Sequence, residues 1–160
     1  KQVLTLLMAS LISGTAFAAP GTVTEKTNVL ETTVYGAVQD GAVVDRINQL
    51  DETVYGTGFN GNSATLSKRV DSLYNSVEGS GTNISLREEM DALEYSYQNS
   101  INAGSLVDRV EKMERSVNGR IGSGSLTYHF FKNKSIWQQC NAHKSSGYIS
   151  WQPSFQSYIE

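Results

Sequence analysis

Apolar residues recur along this chain at i, i+4, i+7 and i+11, and the set is repeated five times. The sets are Val23, Thr27, Leu30 and Val34; Val43, Ile47, Leu50 and Val54; Leu66, Val70, Leu73 and Val77; Leu86, Met90, Leu93 and Tyr97; and Leu106, Val110, Met113 and Val117. Each lies on one stripe of a helix about three turns long, with polar residues around the rest of the circumference. Successive sets are offset by 20, 23, 20 and 20 residues. Each is followed by Gly36, Gly56, Gly79, Asn99 or Gly119, residue types that accept the left-handed conformation closing a helix. Ser85 with Glu88 and Ser105 with Asp108 have the spacing of helix-opening caps, and Asp40 and Ser63 are candidate caps for the second and third units.

A single long helix does not fit this pattern. At about 100° per residue an offset of 20 turns the stripe by roughly 200°, so consecutive stripes on one rod would face opposite sides. The expected fold is all-α: short amphipathic helices in tandem, stacked as a helical repeat array or small bundle, with an irregular aromatic C-terminal tail. A lone stripe of four apolar side chains does not offset the entropy of ordering its own helix, so the units must stack on one another or on another copy. Short connections favour antiparallel or zigzag neighbours. The expected repeat core is Leu30, Val34, Val43, Ile47, Leu50, Val54, Leu66, Val70, Leu73, Val77, Leu86, Met90, Leu93, Leu106, Val110, Met113 and Val117. The first unit, with Thr27 on its stripe, reads as a frayed or capping repeat. Stripes this narrow also predict self-association or a protein partner on the repeat helices.

The two ends of the 160-residue chain differ from its middle. Residues 1–18 have the order of a secretion signal: Lys1, an apolar run from Val3 to Ile12, then Ala16-Phe17-Ala18 as a cleavage site. The run is too short and too often broken by Ser and Thr for a stable membrane span. Residues 19–126 hold the five units and the start of a sixth, where Gly124-Ser125-Leu126 repeats the opening of the fifth and the pattern then lapses. Residues 127–160 contain eight of the chain's fifteen aromatic residues and read as an aromatic-rich tail, disordered or truncated. The expected location is secreted, periplasmic or cell-surface, in a bacterial envelope.

Charge removes one class of partner. Lys1 is the only charged residue in residues 1–18, so without them 12 basic residues face 16 acidic ones, a formal charge of −4. Nucleic-acid binding relies on clustered cations and is not expected here. The single cysteine, Cys140, cannot close an intramolecular disulfide, so packing alone must hold the chain.

Leu30-Glu31-Thr32-Thr33-Val34-Tyr35-Gly36 and Leu50-Asp51-Glu52-Thr53-Val54-Tyr55-Gly56, with Arg46, Arg69 and Arg109 in the units that follow a loop, make a recurrent Leu-Glu/Asp-x-x-Val-Tyr-Gly motif. It resembles the short tandem repeats of exported bacterial envelope proteins of uncharacterised function. The resemblance covers about residues 23–126 and implies a repeat architecture, not an activity. The fourth unit departs from it, with Glu89 in the Arg position and Tyr97-Gln98-Asn99 at its end.

Candidate chemistry is sparse. Gly56-x-Gly58-x-x-Gly61 matches a dinucleotide fingerprint by letter, but a helix precedes it where a strand is required. His129, Cys140 and His143 are three metal-type ligands without a fourth, and read as exposed tail residues. Glu88, Glu89, Asp91 and Glu94 read as one solvated helix face. Arg46, Arg69 and Arg109 each precede an apolar position, so their stems cover the stripe while their heads reach acids such as Asp45, Asp71 or Glu111. Tyr35 and Tyr55 read as lids on helix ends. No metal, cofactor or catalytic set is expected, and the chain reads as a non-enzymatic structural spacer or protein-interaction scaffold. Two alternatives stand: a cell-surface glycan- or peptidoglycan-binding module that uses Trp137, Tyr148 and Trp151 on a cell-wall polysaccharide, or a non-catalytic fragment of a larger exported enzyme.

Overall fold

A computed structural model describes residues 20–59, 64–80 and 83–144, with side chains up to Ser135. The described residues are all-helical: α1 (Val23–Tyr35), α2 (Val43–Tyr55), α3 (Leu66–Val77), α4 (Leu86–Gln98), α5 (Leu106–Asn118) and α6 (Leu126–Lys144). The fold class is the one read from the stripes. None of these helices is long and apolar enough to cross a membrane. Residues 1–19, which include the expected secretion signal, lie outside the described part.

The helix boundaries follow local chemistry. Thr22 and Ser85 each accept the backbone N–H three residues on, while Glu25 and Glu88 return a carboxylate to the cap's own N–H. Ser105 accepts Asp108 N–H in the same way. Thr65 rather than Ser63 caps α3, and α2 opens at Ala42 with no side-chain cap, so Asp40 is not used there. α1 is not frayed. Its Thr27 is fully buried and donates its hydroxyl to Val23 O at 2.8 Å, which satisfies the one polar group on the stripe.

The helices form two layers of three, α1–α2–α3 and α4–α5–α6. Within a layer they run parallel, not antiparallel or zigzag as short loops suggest. Lys26, fourth in α1, meets Asp71, sixth in α3, and Thr33, eleventh in α1, meets Glu78 just past the end of α3. Matching positions at both ends are possible only for parallel neighbours. The physical reason is loop length. A thirteen-residue helix rises about 20 Å, and the seven residues 36–42 can span about 23 Å when extended, enough to return to the level at which α1 began. Loops of equal length separate α4 from α5 and α5 from α6.

The core of each layer is the meeting of three stripes. Leu30, Val34, Ile47, Leu50, Val54, Val70, Leu73 and Val77 are fully buried in the first layer. Leu86, Met90, Leu93, Leu106, Val110, Met113, Leu126 and Phe130 are buried in the second. Val43, Leu66 and Val117 pack against this core partly buried, whereas Tyr97 is 48 % exposed. Apart from Tyr97, the stripe positions are thus covered wholly or partly within the chain. α6 supplies the third stripe of its layer, so the helical region continues beyond Leu126 through Lys144; residues 145–160 lie outside the described part.

The layers stack end to end. A Cβ on Gly36 would stand 3.6 Å from Ser105 Cβ, one on Gly56 3.5 Å from Ser125 Cβ, and one on Gly79 3.4 Å from Ser85 Cβ. The C-terminal tips of α1, α2 and α3 thus rest on the N-caps of α5, α6 and α4. Thr127 donates to Val54 O across the same junction at 2.9 Å. Gly36 holds φ 87°, a left-handed conformation that favours glycine. The N-cap serines of the second layer are buried, while Thr22, Ala42 and Thr65 of the first layer are exposed.

One core position is anomalous. Asn133 of α6 sits where Leu30, Leu50, Leu73, Leu93 and Met113 sit in the other helices; it is 5 % exposed, and its Oδ1 finds no donor among the described residues. Replacing a buried unsatisfied amide by an apolar side chain removes a desolvation cost of roughly 1–3 kcal/mol. Asn133→Leu is expected to raise the unfolding free energy by about 1–2 kcal/mol, read from the urea midpoint at unchanged slope.

Candidate functional site

The main polar feature is a ladder of side-chain pairs at fixed helix positions, each a carboxylate against an arginine or a histidine. The fourth residue of one helix meets the ninth of the helix before it. Arg46 binds Glu31 through Nε at 2.8 Å and Nη2 at 2.6 Å, and its Nη2 also reaches Asn28 at 2.6 Å. Arg69 binds Asp51 through Nε at 2.9 Å and through Nη2, which also reaches Asn48 at 2.8 Å. Arg109 binds Glu94 through Nε at 3.2 Å and Nη2 at 2.8 Å, and Asp91 at 2.5 Å. His129 takes the arginine position in α6 and meets Glu114 at 2.7 Å through Nδ1. The partners are therefore acids of the preceding helix, not Asp45, Asp71 or Glu111. A whole interhelical loop separates the two members of every rung, so no local i,i+4 search finds them.

Two readings of single residues are corrected by this geometry. His129 is not an exposed tail residue: it is 7 % exposed and part of the ladder. Nor do the acids of α4 form one solvated face. Glu94 is fully buried on Arg109, Asp91 joins the same guanidinium, Glu89 binds Lys134 at 2.6 Å, and Glu88 closes the α4 cap. Burial pushes the Glu94 carboxyl up, but Arg109 and Asn102 outweigh it and hold the group below its ordinary value of 4.5. Glu114 behaves alike, with burial outweighed by the Gly122 N–H and His129. For Arg109, burial is outweighed by Glu94 and Asp91, and its pKa rises.

The ladder explains why there are two layers. At the α3–α4 step the ninth residue of α3 is Tyr74 and the fourth of α4 is Glu89, so the pair that would draw α4 beside α3 is missing. Each layer closes on itself instead, first helix to third. Lys26 of α1 stands over the Tyr74 ring at 5.9 Å and binds Asp71 at 2.5 Å. Glu89 of α4 binds Lys134, the ninth residue of α6. The two closing pairs, Lys26–Asp71 and Glu89–Lys134, have the same sequence separation and exchanged signs. α4 then starts over the tip of α3, where Arg87 meets Glu78 at 3.3 Å.

Tyr35 and Tyr55 are half-buried struts rather than plain lids. Their hydroxyls reach Thr53 Oγ1 at 2.8 Å and Ser76 Oγ at 2.7 Å on the next helix. Gly56 and Gly58 form the turn after α2, with φ 99° and 89°, and Gly61 lies outside the described residues. Tyr148 and Trp151 lie outside them too. Trp137, Cys140 and His143 fall on α6 beyond the described side chains.

No protein-family model, no curated protein and no solved structure matches this chain.

The depressed carboxyls carry a pH dependence with a definite sign. A folded pKa below the unfolded one contributes stability above the unfolded pKa, and that contribution is lost as pH falls through the folded value. Thermal stability is expected to hold from pH 7 to about pH 5 and to fall below about pH 4.5, with a shallower acid limb in Glu94→Gln. Melting temperatures across that range check it; an unaltered limb in the variant would remove Glu94 from the account.

Proposed function

We propose that this chain is a non-enzymatic helical repeat protein of a bacterial envelope, exported by residues 1–18, that acts as a rigid spacer or protein-interaction scaffold. One observation carries the reading: two three-helix layers, each closed by an ion pair between its first and third helices, stack tip to cap through small residues. Length in such a design is added in whole layers, each about 20 Å tall. The fully buried carboxylates Glu31, Glu94 and Glu114 are each engaged by an arginine or a histidine of the next helix, as suits a frame. The repeat motif and the order of residues 1–18 support the envelope location.

Cell fractionation of the full chain beside one lacking residues 1–18 tests export; equal cytoplasmic retention of both would sink it. Small-angle scattering tests the spacer. A single rigid particle whose profile is insensitive to salt is expected, and a jointed profile would overturn the rod-like frame.

A further inference from the structure

The two layers do not end alike. The last stripe positions of the first layer, Val34, Val54 and Val77, are fully buried, because the N-caps of α5, α6 and α4 stand over their helix tips. The same positions in α4 and α5 carry Tyr97 and Val117, the one half-exposed and the other only partly buried. One turn deeper, Leu93 and Met113 keep 8 % and 6 % exposure, where Leu30, Leu50 and Leu73 have none. A Cβ on Gly119 would meet nothing within 4 Å, whereas Gly36, Gly56 and Gly79 each have a serine against them. The second layer therefore has an open apolar end. Tyr97 bridges α4 and α5 there, its hydroxyl donating to Ser116 O at 3.3 Å, so that its ring forms a ledge next to the last turn of α5.

α6 decides what can cover that end. At the internal junction every tip is met by the N-cap of another helix, so the space beyond a tip is the seat of the next helix. α4 and α5 stop at Gln98 and Asn118, their thirteenth residues, while α6 runs on past its own thirteenth, Gln138, to Lys144. Those residues, 139–144, rise about 9 Å above the plane of the tips. They fill one of the three seats that a three-helix layer of another copy would need, so a second copy cannot stack there as the two layers stack on each other. What fits is a single segment laid across the tips of α4 and α5 against the wall of α6. The chain carries such a segment: residues 145–160 follow α6 and contain Tyr148, Ile149, Trp151, Phe155, Tyr158 and Ile159, with Glu160 as their only charged residue. Packed helix axes lie about 8–10 Å apart, so about four or five extended residues after Lys144 are enough to bring the chain back to Tyr97 and Val117.

We infer that the open end of the second layer is a docking surface for residues 145–160 of the same chain, with Tyr148 and Trp151 laid over Tyr97 and Val117. A repeat stack needs its last core face covered by something other than a further repeat, and this segment supplies that cover. Together with the prolonged α6 it closes the stack at two layers and so fixes the length of the frame. That consequence rests on the spacer reading; the docking rests on packing alone and holds whether or not the chain is exported.

The test is NMR of the full chain with its valine methyl groups labelled. Nuclear Overhauser contacts from the Tyr148 and Trp151 rings to the Val117 methyls are expected, unchanged on dilution. A mixture of labelled and unlabelled chains separates contacts within one molecule from contacts between two. In the full chain carrying Tyr148→Ser and Trp151→Ser the contacts are expected to vanish and the Asn99 and Gly119 amide signals to move. Hydrogen exchange in the last turn of α5 is expected to quicken by about tenfold or more, as the loss of a buried aromatic implies. The contacts in the unaltered chain are decisive on their own, so the proposal does not hang on how the double variant folds. It is overturned if the rings touch only Tyr128 and Phe131 on the outer face of α6, if the contacts arise only between differently labelled chains, or if Asn99, Val117 and Gly119 are the same in both proteins.

Discussion

Arg109→Ala is expected to lower the unfolding free energy by about 3–5 kcal/mol, the range for removing one partner of a buried ion pair. Glu94 is fully buried, and Arg109 gives it two of its donors, so the variant leaves a charge inside the second layer with only the Asn102 contacts to hold it. The loss comes from that stranded carboxylate more than from the pair's own net worth. A second variant separates these contributions. Replacing Arg109 and Glu94 together by leucine removes both charges from an apolar setting, and such exchanges are often neutral or stabilising by about 1–4 kcal/mol. Urea denaturation of the single and double variants reads both numbers. A double variant as unstable as Arg109→Ala would mean that the pair, not the stranded charge, carries the stability.

The stripes were legible because burial among three parallel helices needs only one apolar face per helix, and i, i+4, i+7, i+11 writes that face directly into the chain. Leu30, Ile47, Leu73 and Met90 went where periodicity put them. Helix direction was not legible: periodicity is the same for parallel and antiparallel neighbours, and the reach of residues 36–42 permits either, so the pairs between helices decide. The ladder was half legible. Arg46, Arg69 and Arg109 stood out by position, but their acids lie on the preceding helix, across a loop and beyond any local rule. Glu89 was visible as a departure from the arginine pattern, yet its meaning needed Tyr74 on the helix before it and Lys134 on the second helix after it. His129 was missed because the sixth stripe, Leu126 and Phe130, is interrupted by the buried Asn133. The unpaired Oδ1 of Asp51 could not be read at all, since it depends on the Phe59 N–H turning back to Gly56 O.

Leu50→Ala is the severest test of the layered design. Leu50 is fully buried among the stripes of α1, α2 and α3, and truncating a buried leucine costs about 2–5 kcal/mol, more where the site cannot collapse around the cavity. Collapse is restricted here because α2 is held at its fourth residue by Glu31, along its side by Tyr35, and at its tip by Thr127 and Ser125. The same tip contacts join the first layer to the second. Loosening α2 therefore unseats α6 from below, and both layers are expected to unfold in one transition. Both tryptophans, Trp137 and Trp151, lie in or beyond α6, so fluorescence follows the far end of the chain while far-UV circular dichroism follows all the helices. In Leu50→Ala the two urea curves are expected to shift together by the full amount. A dichroism curve that moves while fluorescence stays at its native midpoint would mean that the layers fold independently, and that the glycine–serine junctions align them without coupling them.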